Sequence, residues 1–310
     1  MHDLGSSFPN ATGHPDGRDE YMPVEECGNM LILGLALVNS LKYETEPASI
    51  WSQSWDNPAV DSSVNGAFPL YMDVDGMDDT FGGPANAKGE KQARKWVKGS
   101  YSLWKKWTGY LVREALIPAN QLSTDDFAGW LANQTNLALK GIIGIRAMSE
   151  ISELVGEKED AKYYREVSES YIKRWHDEFA MSRDGTHAKL AYTWYGSWTT
   201  LYNLFADSLL CFHLPSGLSQ SQSRGSTGQK PIQLTPSHGS KTVFVNEEVY
   251  RTQSSWYHNV RQRYGLPLDS RSLQTKSDWE FFAIAVASKS VRHEVVQSIA
   301  LWVNETSTGM

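Results

Sequence analysis

The stretch QTNLALKGIIGIRAMSEISELVG, residues 134–156, decides the fold class. Gly141 and Gly144 lower its helix propensity, but they would let a neighbouring helix approach closely. Gly156 ends the pattern, as glycine commonly does after the last turn of a helix. The apolar residues recur at the spacing of one helix face, and they are Leu139, Ile142, Ile143, Ala147, Ile151 and Leu154. The stretch therefore predicts a helix over 134–155 that packs tightly on another helix.

The same helical periodicity extends outward along the chain, and strand patterns are sparse. Pro23 begins the first helix, which runs to about residue 44, and Glu25 and Glu26 suit its positively polarised start. Further helices are predicted over 86–116, 158–180, 198–211, 247–263, 277–287 and 290–304. Helix, short polar connection and helix follow one another repeatedly. This order predicts an all-α fold of helical hairpins, arranged as a toroid or a bundle.

Two segments interrupt the helical rhythm. Residues 45–84 hold DVDGMDDTFGGP and many turn residues, and residues 214–241 are rich in Ser, Gln, Gly and Pro. Such segments cannot bury much apolar surface. We therefore predict one helical domain over 1–310 with excursions at 45–84 and 214–241, the latter disordered.

Composition and charge narrow the class of protein. The chain has 310 residues, of which 40% are hydrophobic, so it can bury a large core. Its net charge is −7 and it has no basic stripe, so we do not expect a nucleic-acid partner. The longest apolar run, residues 30–38, is shorter than the roughly 20 residues of a membrane span, so no membrane partner is expected. The N-terminus MHDLGSSFPN lacks the apolar region of a signal peptide.

The polar loops between the helices are where we expect chemistry. They are residues 2–30, the sequence STDDFAG at 123–129, the sequence AYTWYGSW at 191–198, and residues 264–280. The candidate catalytic carboxylates on these loops are Asp126, Asp125, Glu25, Glu26, Asp278 and Glu280. Two carboxylates can hydrolyse a sugar if the fold brings them within about 5–10 Å. The alternative for each is structural, because acids also cap helices or complement the helix dipole.

Other side chains on the loops are candidates for binding a substrate. The N-terminal loop holds His2, Asp3, His14 and Asp16, whose spacing matches no tight metal-ligand motif, so no metal or cofactor is predicted. Trp130 and Trp279 are predicted to form walls of the site, which brings the binding set to His2, Asp3, His14, Asp16, Trp130 and Trp279.

Cys27 offers a second chemistry, and its only companion cysteine is Cys211, so no disulfide framework is implied. Cys27 lies near the start of a helix, where a thiolate is favoured. Paired with Glu25 or Glu26 it would make a thiol amidase; otherwise it is a small buried residue.

Four long blocks carry a resemblance to a known family. They are HDLGSSFPNATGHPDGRDEYMPVEECGNML, YLVREALIPANQLSTDDFAGWLANQTNLALKGIIGI, YGLPLDSRSLQTKSDWE and WVNETST. In this order they resemble the fungal glutaminase A family. The resemblance implies a six-hairpin (α/α)6 toroid like that of several glycosidases, hydrolysis of L-glutamine to L-glutamate and ammonia, and an extracellular or cell-surface location.

The sequence departs from the family pattern in its extent. It lacks the family's upstream β-rich region and a signal sequence, and it starts and stops inside the helical domain. Eight helices are predicted where six hairpins need twelve. We therefore expect a partial toroid, encoded by a fragment or an imperfect gene model in which 214–241 is translated intron.

Three functions follow as expectations. The first is a glutaminase A-like hydrolase with a small polar substrate, in which Asp126 faces Glu25 or Glu26 across the mouth of the toroid. The second is a glycoside hydrolase or carbohydrate-binding protein that uses paired carboxylates. The third is an inactive fragment that serves only as an interaction module.

Overall fold

The computed structural model of the chain describes residues 20–43, 87–124, 127–210, 212 and 243–306. The predicted excursions, 45–84 and 214–241, lie outside these ranges. Within them, strand-like pairing is limited to isolated bridges. The eight α-helices are α1 (Pro23–Tyr43), α2 (Ala87–Glu114), α3 (Thr135–Val155), α4 (Lys158–Arg174), α5 (Leu204–Leu209), α6 (Glu247–Val260), α7 (Ser277–Ala285) and α8 (Lys289–Glu305). The predicted all-α class is confirmed.

The odd-numbered helices contact one another in chain order. Helix α1 packs on α3, α3 packs on α5, and α5 packs on α7. Of the even-numbered helices, α2 packs on both α1 and α3, α4 packs on α3, and α8 packs on α6 and α7. Consecutive hairpins in a toroid pack in this way, with the first helix of each hairpin against the first helix of the next.

Helix α3 is the core helix of this array. Of its residues only Glu150 and Glu153 are not buried. A Cβ atom at Gly141 would lie 2.6 Å from the Cβ of Ala115, and one at Gly144 would lie 3.0 Å from Cδ1 of Leu111. Both glycines therefore allow the close helix approach that the sequence predicted.

Helix α1 is apolar because it belongs to the same core. By length and composition alone, Pro23–Lys42 is long and apolar enough to cross a membrane, and it is the one such helix in the part of the chain described. Leu31, Leu35 and Val38 are nevertheless buried in the main core cluster. A core helix of this kind passes the same test of length and composition.

The prediction of a helix over 198–211 was wrong at its start, because only Leu204–Leu209 is helical. The Thr200 N–H donates to the Leu268 carbonyl (2.9 Å), and the Ser270 N–H donates to the Trp198 carbonyl (3.0 Å). These long-range bonds satisfy the backbone in place of helical ones. Tertiary pairing has overridden local periodicity here.

Two other predicted helices are interrupted. The helix predicted over 86–116 is α2, which is broken at Ser100, where φ is −129° and ψ is 16°. The Ser100 hydroxyl accepts a hydrogen bond from the Trp104 indole N–H (2.8 Å). The helix predicted over 158–180 is α4 followed by a π-helical turn, Trp175–Ala180.

Candidate active site

The polar segment 119–134 is bonded to the segments on both sides of it. The Leu122 N–H donates to the Tyr21 carbonyl (2.9 Å), just before α1, and the Asn133 carbonyl accepts from the Tyr192 N–H (3.1 Å). The contact of Thr200 with Leu268 then joins 188–203 to 264–276. Backbone hydrogen bonds therefore link parts of all four loops that the sequence singled out, each loop to the next.

Each of these four segments directly precedes an odd-numbered helix. Residues 20–22 lead into α1, 119–134 into α3, 188–203 into α5 and 264–276 into α7. The loops that meet are thus the N-terminal approaches of the helices that pack in series. Helix N-termini carry partial positive charge.

A buried ion pair joins α1 to α3 beside these segments. The Lys140 ammonium, on α3, donates to Oε1 of Glu25, on α1. Their side chains are only 6% and 3% exposed, respectively. Among the described residues, Oε2 of Glu25 is buried without a hydrogen-bond partner. The alkyl chain of Lys140 passes over Gly28, where a Cβ would lie 2.8 Å from its Cγ.

The Tyr202 side chain closes the cluster from the 188–203 segment. The ammonium of Lys140 lies 5.8 Å from the centroid of its ring. Its hydroxyl shares a hydrogen bond of 2.6 Å with Oγ1 of Thr124. Burial raises the pKa of Tyr202 well above its ordinary value, and the negative charge of Glu25 raises it further. Tyr202 is therefore a neutral hydroxyl that can both donate and accept a hydrogen bond.

The Thr124 backbone is strained. Its φ is +58°, in the left-handed region where a β-branched residue is an outlier. Its side chain is buried, with 1% exposure. Such strain persists only where the surroundings enforce it, and it concentrates at functional sites.

Other buried polar groups hold the segments in register. The Ser123 hydroxyl donates to Oε1 of Gln134 (2.5 Å). Oε1 of Gln121 accepts from the Val24 N–H (2.9 Å), which fixes the start of α1 against the 119–134 segment. Each of these bonds satisfies a group that would otherwise be buried without a partner. They position the ion pair and the Thr124 hydroxyl relative to one another.

The predicted carboxylates fall into different environments. Glu25 is in the cluster, whereas Glu26 and Asp278 are exposed. Glu280 is buried and accepts a hydrogen bond from the Leu266 N–H. Burial raises the pKa of Glu280 to about 7, although that hydrogen bond opposes the rise. Glu280 thereby holds the loop before α7.

The predicted aromatic walls also differ. The Trp279 ring packs on Tyr202, with 4.6 Å between ring centroids, and its indole N–H is buried without a partner in the described structure. Trp130 is 54% exposed and stacks on Tyr21, with 6.3 Å between centroids. Trp279 therefore belongs to the cluster, and Trp130 lies at the surface near the start of α1.

The thiol amidase alternative loses its physical basis. Burial and the nearby charge of Glu26 raise the pKa of Cys27 to about 11. This shift favours the other interpretation, in which Cys27 is a small structural residue. Burial and the Glu26 carboxylate raise the pKa of Cys27 by more than the helix start lowers it.

Six predicted site residues lie outside the described ranges. They are Asp125, Asp126, His2, Asp3, His14 and Asp16. In the sequence, Asp125 and Asp126 directly follow Thr124. Among the residues that the structure does describe, no three or more His, Cys, Asp or Glu side chains group so as to hold a metal ion.

Sequence reasoning missed Lys140, Tyr202 and Thr124. Lys140 did leave a signal, because it is a charge inside an apolar helix and buried lysines are rare unless paired. Thr124 and Tyr202 left no such signal in the sequence, because their contact joins residues that are 78 positions apart in the chain.

Comparison with known proteins gives a consistent set of matches. Residues 1–56, 85–224 and 233–310 match the glutaminase A six helical-hairpin domain. A probable glutaminase of Arthroderma benhamiae is 58% identical over 316 residues, covering 99% of this chain and 36% of that protein. Glutaminase A of Aspergillus oryzae is 38% identical over 310 residues, covering 99% of this chain and 33% of that protein.

The extent of these matches has two features. The chain spans about a third of the length of the curated relatives it matches. The family match leaves out 57–84 and 225–232, which lie inside the two predicted excursions. No solved structure matches the chain.

Proposed function

Because this chain belongs to the glutaminase A six helical-hairpin domain family, we propose that it hydrolyses the side-chain amide of L-glutamine to give L-glutamate and ammonia. The names of its relatives support this activity. The observation that carries the proposal is the buried ion pair of Glu25, on α1, with Lys140, on α3.

The ion pair suits an α-amino acid. Glutamine carries an ammonium and a carboxylate on its α-carbon. Oε2 of Glu25, which is buried without a partner among the described residues, can accept from the ammonium. Lys140 donates one of its three N–H groups to Glu25 and can offer another to the carboxylate. Away from water both contacts are stronger than at the surface.

The hydrolytic chemistry is assigned to groups beside the ion pair. Amide hydrolysis needs an activated nucleophile and a donor that stabilises the developing oxyanion. The neutral Tyr202 hydroxyl is a suitable donor. We retain Asp126, two residues after Thr124 in the sequence, as a proposed catalytic carboxylate. Glu25, expected from the sequence to be catalytic, is proposed to bind the substrate instead.

The test is ammonia release from L-glutamine by the purified 310-residue chain, beside two matched variants. Glu25→Gln keeps the shape of the side chain but removes the charge that binds the ammonium. A hydrogen bond to a charged group is worth about 1.5–3 kcal/mol, so kcat/KM should fall roughly 10- to 100-fold. Glu26→Gln alters the exposed neighbouring acid and should change kcat/KM less than about twofold.

Each result has a defined meaning. Ammonia release that is impaired only by Glu25→Gln supports the proposal. A chain that melts cooperatively but releases no ammonia contradicts it. Release of reducing sugar from a glycan by such a chain would support the alternative glycoside hydrolase.

Asp126 is tested separately. Loss of ammonia release in Asp126→Asn, with an unchanged melting temperature, supports its role. Full activity in that variant removes Asp126 from the site and leaves the proposed reaction in place.

A further inference from the structure

We propose that Thr124 is the nucleophile of the amide hydrolysis and that Tyr202 carries its proton to the leaving nitrogen. This assignment rests on the proposed function, and it names a covalent mechanism that family membership alone does not supply. It is argued from the backbone, the hydrogen bonding and the surroundings of Thr124.

The conformation of Thr124 is the first observation. A φ of +58° suits glycine, asparagine or aspartate, but it is costly for a residue branched at Cβ. A site that needed only a turn would be more stable with glycine. The strained backbone of Thr124 fixes the direction of its hydroxyl.

The partner of that hydroxyl is the second observation. Oγ1 of Thr124 lies 2.6 Å from the hydroxyl of Tyr202, and burial keeps that tyrosine protonated. A neutral tyrosine cannot act as a simple base. It can accept a proton from one side while it gives its own proton to the other, which makes it a relay.

The charges around the relay are the third observation. The Lys140 ammonium lies 5.8 Å from the Tyr202 ring centroid, and the charge of Glu25 helps to keep the Tyr202 hydroxyl protonated. Glu25 in turn fixes the position of Lys140 through the buried ion pair. The substrate-binding pair and the hydroxyl pair are therefore one connected cluster.

The other candidate nucleophiles described near the ion pair are less suited to attack the amide carbon. The Ser123 hydroxyl donates its proton to Gln134, an amide that cannot act as a base. Cys27 is held as a thiol. Lys140 is ion-paired. Thr124 alone among these residues has its hydroxyl beside a group that can relay a proton.

The first step forms an ester. Oγ1 of Thr124 attacks the side-chain amide carbon of glutamine, and a C–O bond forms. The Thr124 proton passes to the Tyr202 oxygen while the Tyr202 proton passes to the amide nitrogen. The C–N bond breaks, ammonia leaves, and a γ-glutamyl ester remains on Thr124.

The second step restores the enzyme. Water attacks the ester carbon, and one of its protons returns through Tyr202 to Oγ1 of Thr124 as the C–O bond to the enzyme breaks. Glutamate leaves, and its carboxyl proton passes to solvent. The sum of the two steps is glutamine and water giving glutamate and ammonium.

The experiment labels the nucleophile. The full chain is incubated with 6-diazo-5-oxo-L-norleucine, a diazoketone analogue of glutamine that alkylates an activated nucleophile with loss of dinitrogen. Peptide mapping by mass spectrometry then locates the adduct. We expect it on Thr124, with L-glutamine protecting the residue and Thr124→Ser keeping the label.

Kinetics provide a second readout. Thr124→Val keeps the size and the Cβ branching but removes the hydroxyl, so it should lower kcat at least about 1,000-fold, as expected for a lost nucleophile. The matched control is Thr108→Val, because Thr108 is also buried but its hydroxyl bonds only within α2, to the Trp104 carbonyl. This control should keep kcat within about threefold.

The outcomes separate the two proposals. An adduct on another residue, an active chain that takes no label, or a Thr124→Val variant with kcat near the parent value overturns the nucleophile and leaves glutamine hydrolysis standing. A cooperatively folded parent chain that releases no ammonia overturns glutamine hydrolysis, and the nucleophile with it.

Discussion

The strain at Thr124 predicts an unusual order of stability for two substitutions. At most positions alanine is more stabilising than glycine by about 0.4–1 kcal/mol, because glycine makes the unfolded chain more flexible. In the left-handed region a residue with a Cβ costs about 1–2 kcal/mol. At a φ of +58° the second effect outweighs the first. Thr124→Gly should therefore be more stable than Thr124→Ala by about 0.8 kcal/mol.

Both variants lose the threonine hydroxyl and its bond to Tyr202, so the comparison isolates the backbone. The matched pair is Thr108→Gly and Thr108→Ala, because Thr108 is buried within α2. In a helix alanine should be favoured by up to about 1 kcal/mol. The difference in stability between the alanine and glycine variants should therefore have opposite signs at positions 124 and 108.

The assay is equilibrium unfolding in urea, in which the shift of the midpoint at a constant slope reports the change in stability. Alanine could instead be more stable than glycine at position 124, by as much as it is at position 108. That result would show that the left-handed backbone of Thr124 is wrong. The argument that a strained backbone fixes the direction of the Thr124 hydroxyl would then fail.

Three further perturbations test the packing and the buried charges. Gly141→Ala places a Cβ 2.6 Å from that of Ala115, so urea unfolding should show a loss of about 1–3 kcal/mol. Lys140→Met leaves the Glu25 carboxylate buried without its counter-ion, and should cost about 3–5 kcal/mol in the same assay. Burial raises the pKa of Asp207 to about 7, so the folded chain retains its proton while the unfolded chain loses it between about pH 4 and 7. The contribution of Asp207 to stability therefore falls as the pH rises through that window, and Asp207→Asn should flatten the decline in melting temperature.

Each of these predictions has a control in the same chain. A Cβ at Gly99 would meet nothing within 4 Å, so Gly99→Ala in α2 should not destabilise the chain. Lys105 makes a partly exposed pair with Asp160, and Lys105→Met should cost no more than about 1 kcal/mol. Asp278 is exposed, and Asp278→Asn is the matched variant for the same series of melting temperatures. Equal effects in a test variant and its control would contradict the corresponding argument.

The fold was largely predictable because its strongest signals are local. The periodicity of α3 and its glycines indicated a tightly packed helix, and Gly141 does lie against Ala115. The error at 198–203 arose because that backbone pairs with residues 268–270. Helical periodicity in the sequence cannot report such a distant partner.

The site was predictable in part. Glu25 was singled out because an acid at a helix start is a recognisable pattern, and the polar loops were singled out by their composition. Lys140, the partner of Glu25, lies 115 residues away in the chain. It was not singled out because it stands within the apolar pattern of α3. The pairing of Thr124 with Tyr202 depends on two irregular segments, for which the sequence offers no periodicity to follow.

The most direct test of the central claim is the kinetics of ammonia release from L-glutamine by the parent chain, Glu25→Gln and Glu26→Gln. Glu25 is buried against Lys140 and Glu26 is exposed, although they are neighbours in the sequence. We predict an active parent, a kcat/KM lowered roughly 10- to 100-fold in Glu25→Gln, and a nearly unchanged value in Glu26→Gln. A folded parent without activity, or an equal response of the two variants, would contradict the assignment of this ion pair to glutamine binding.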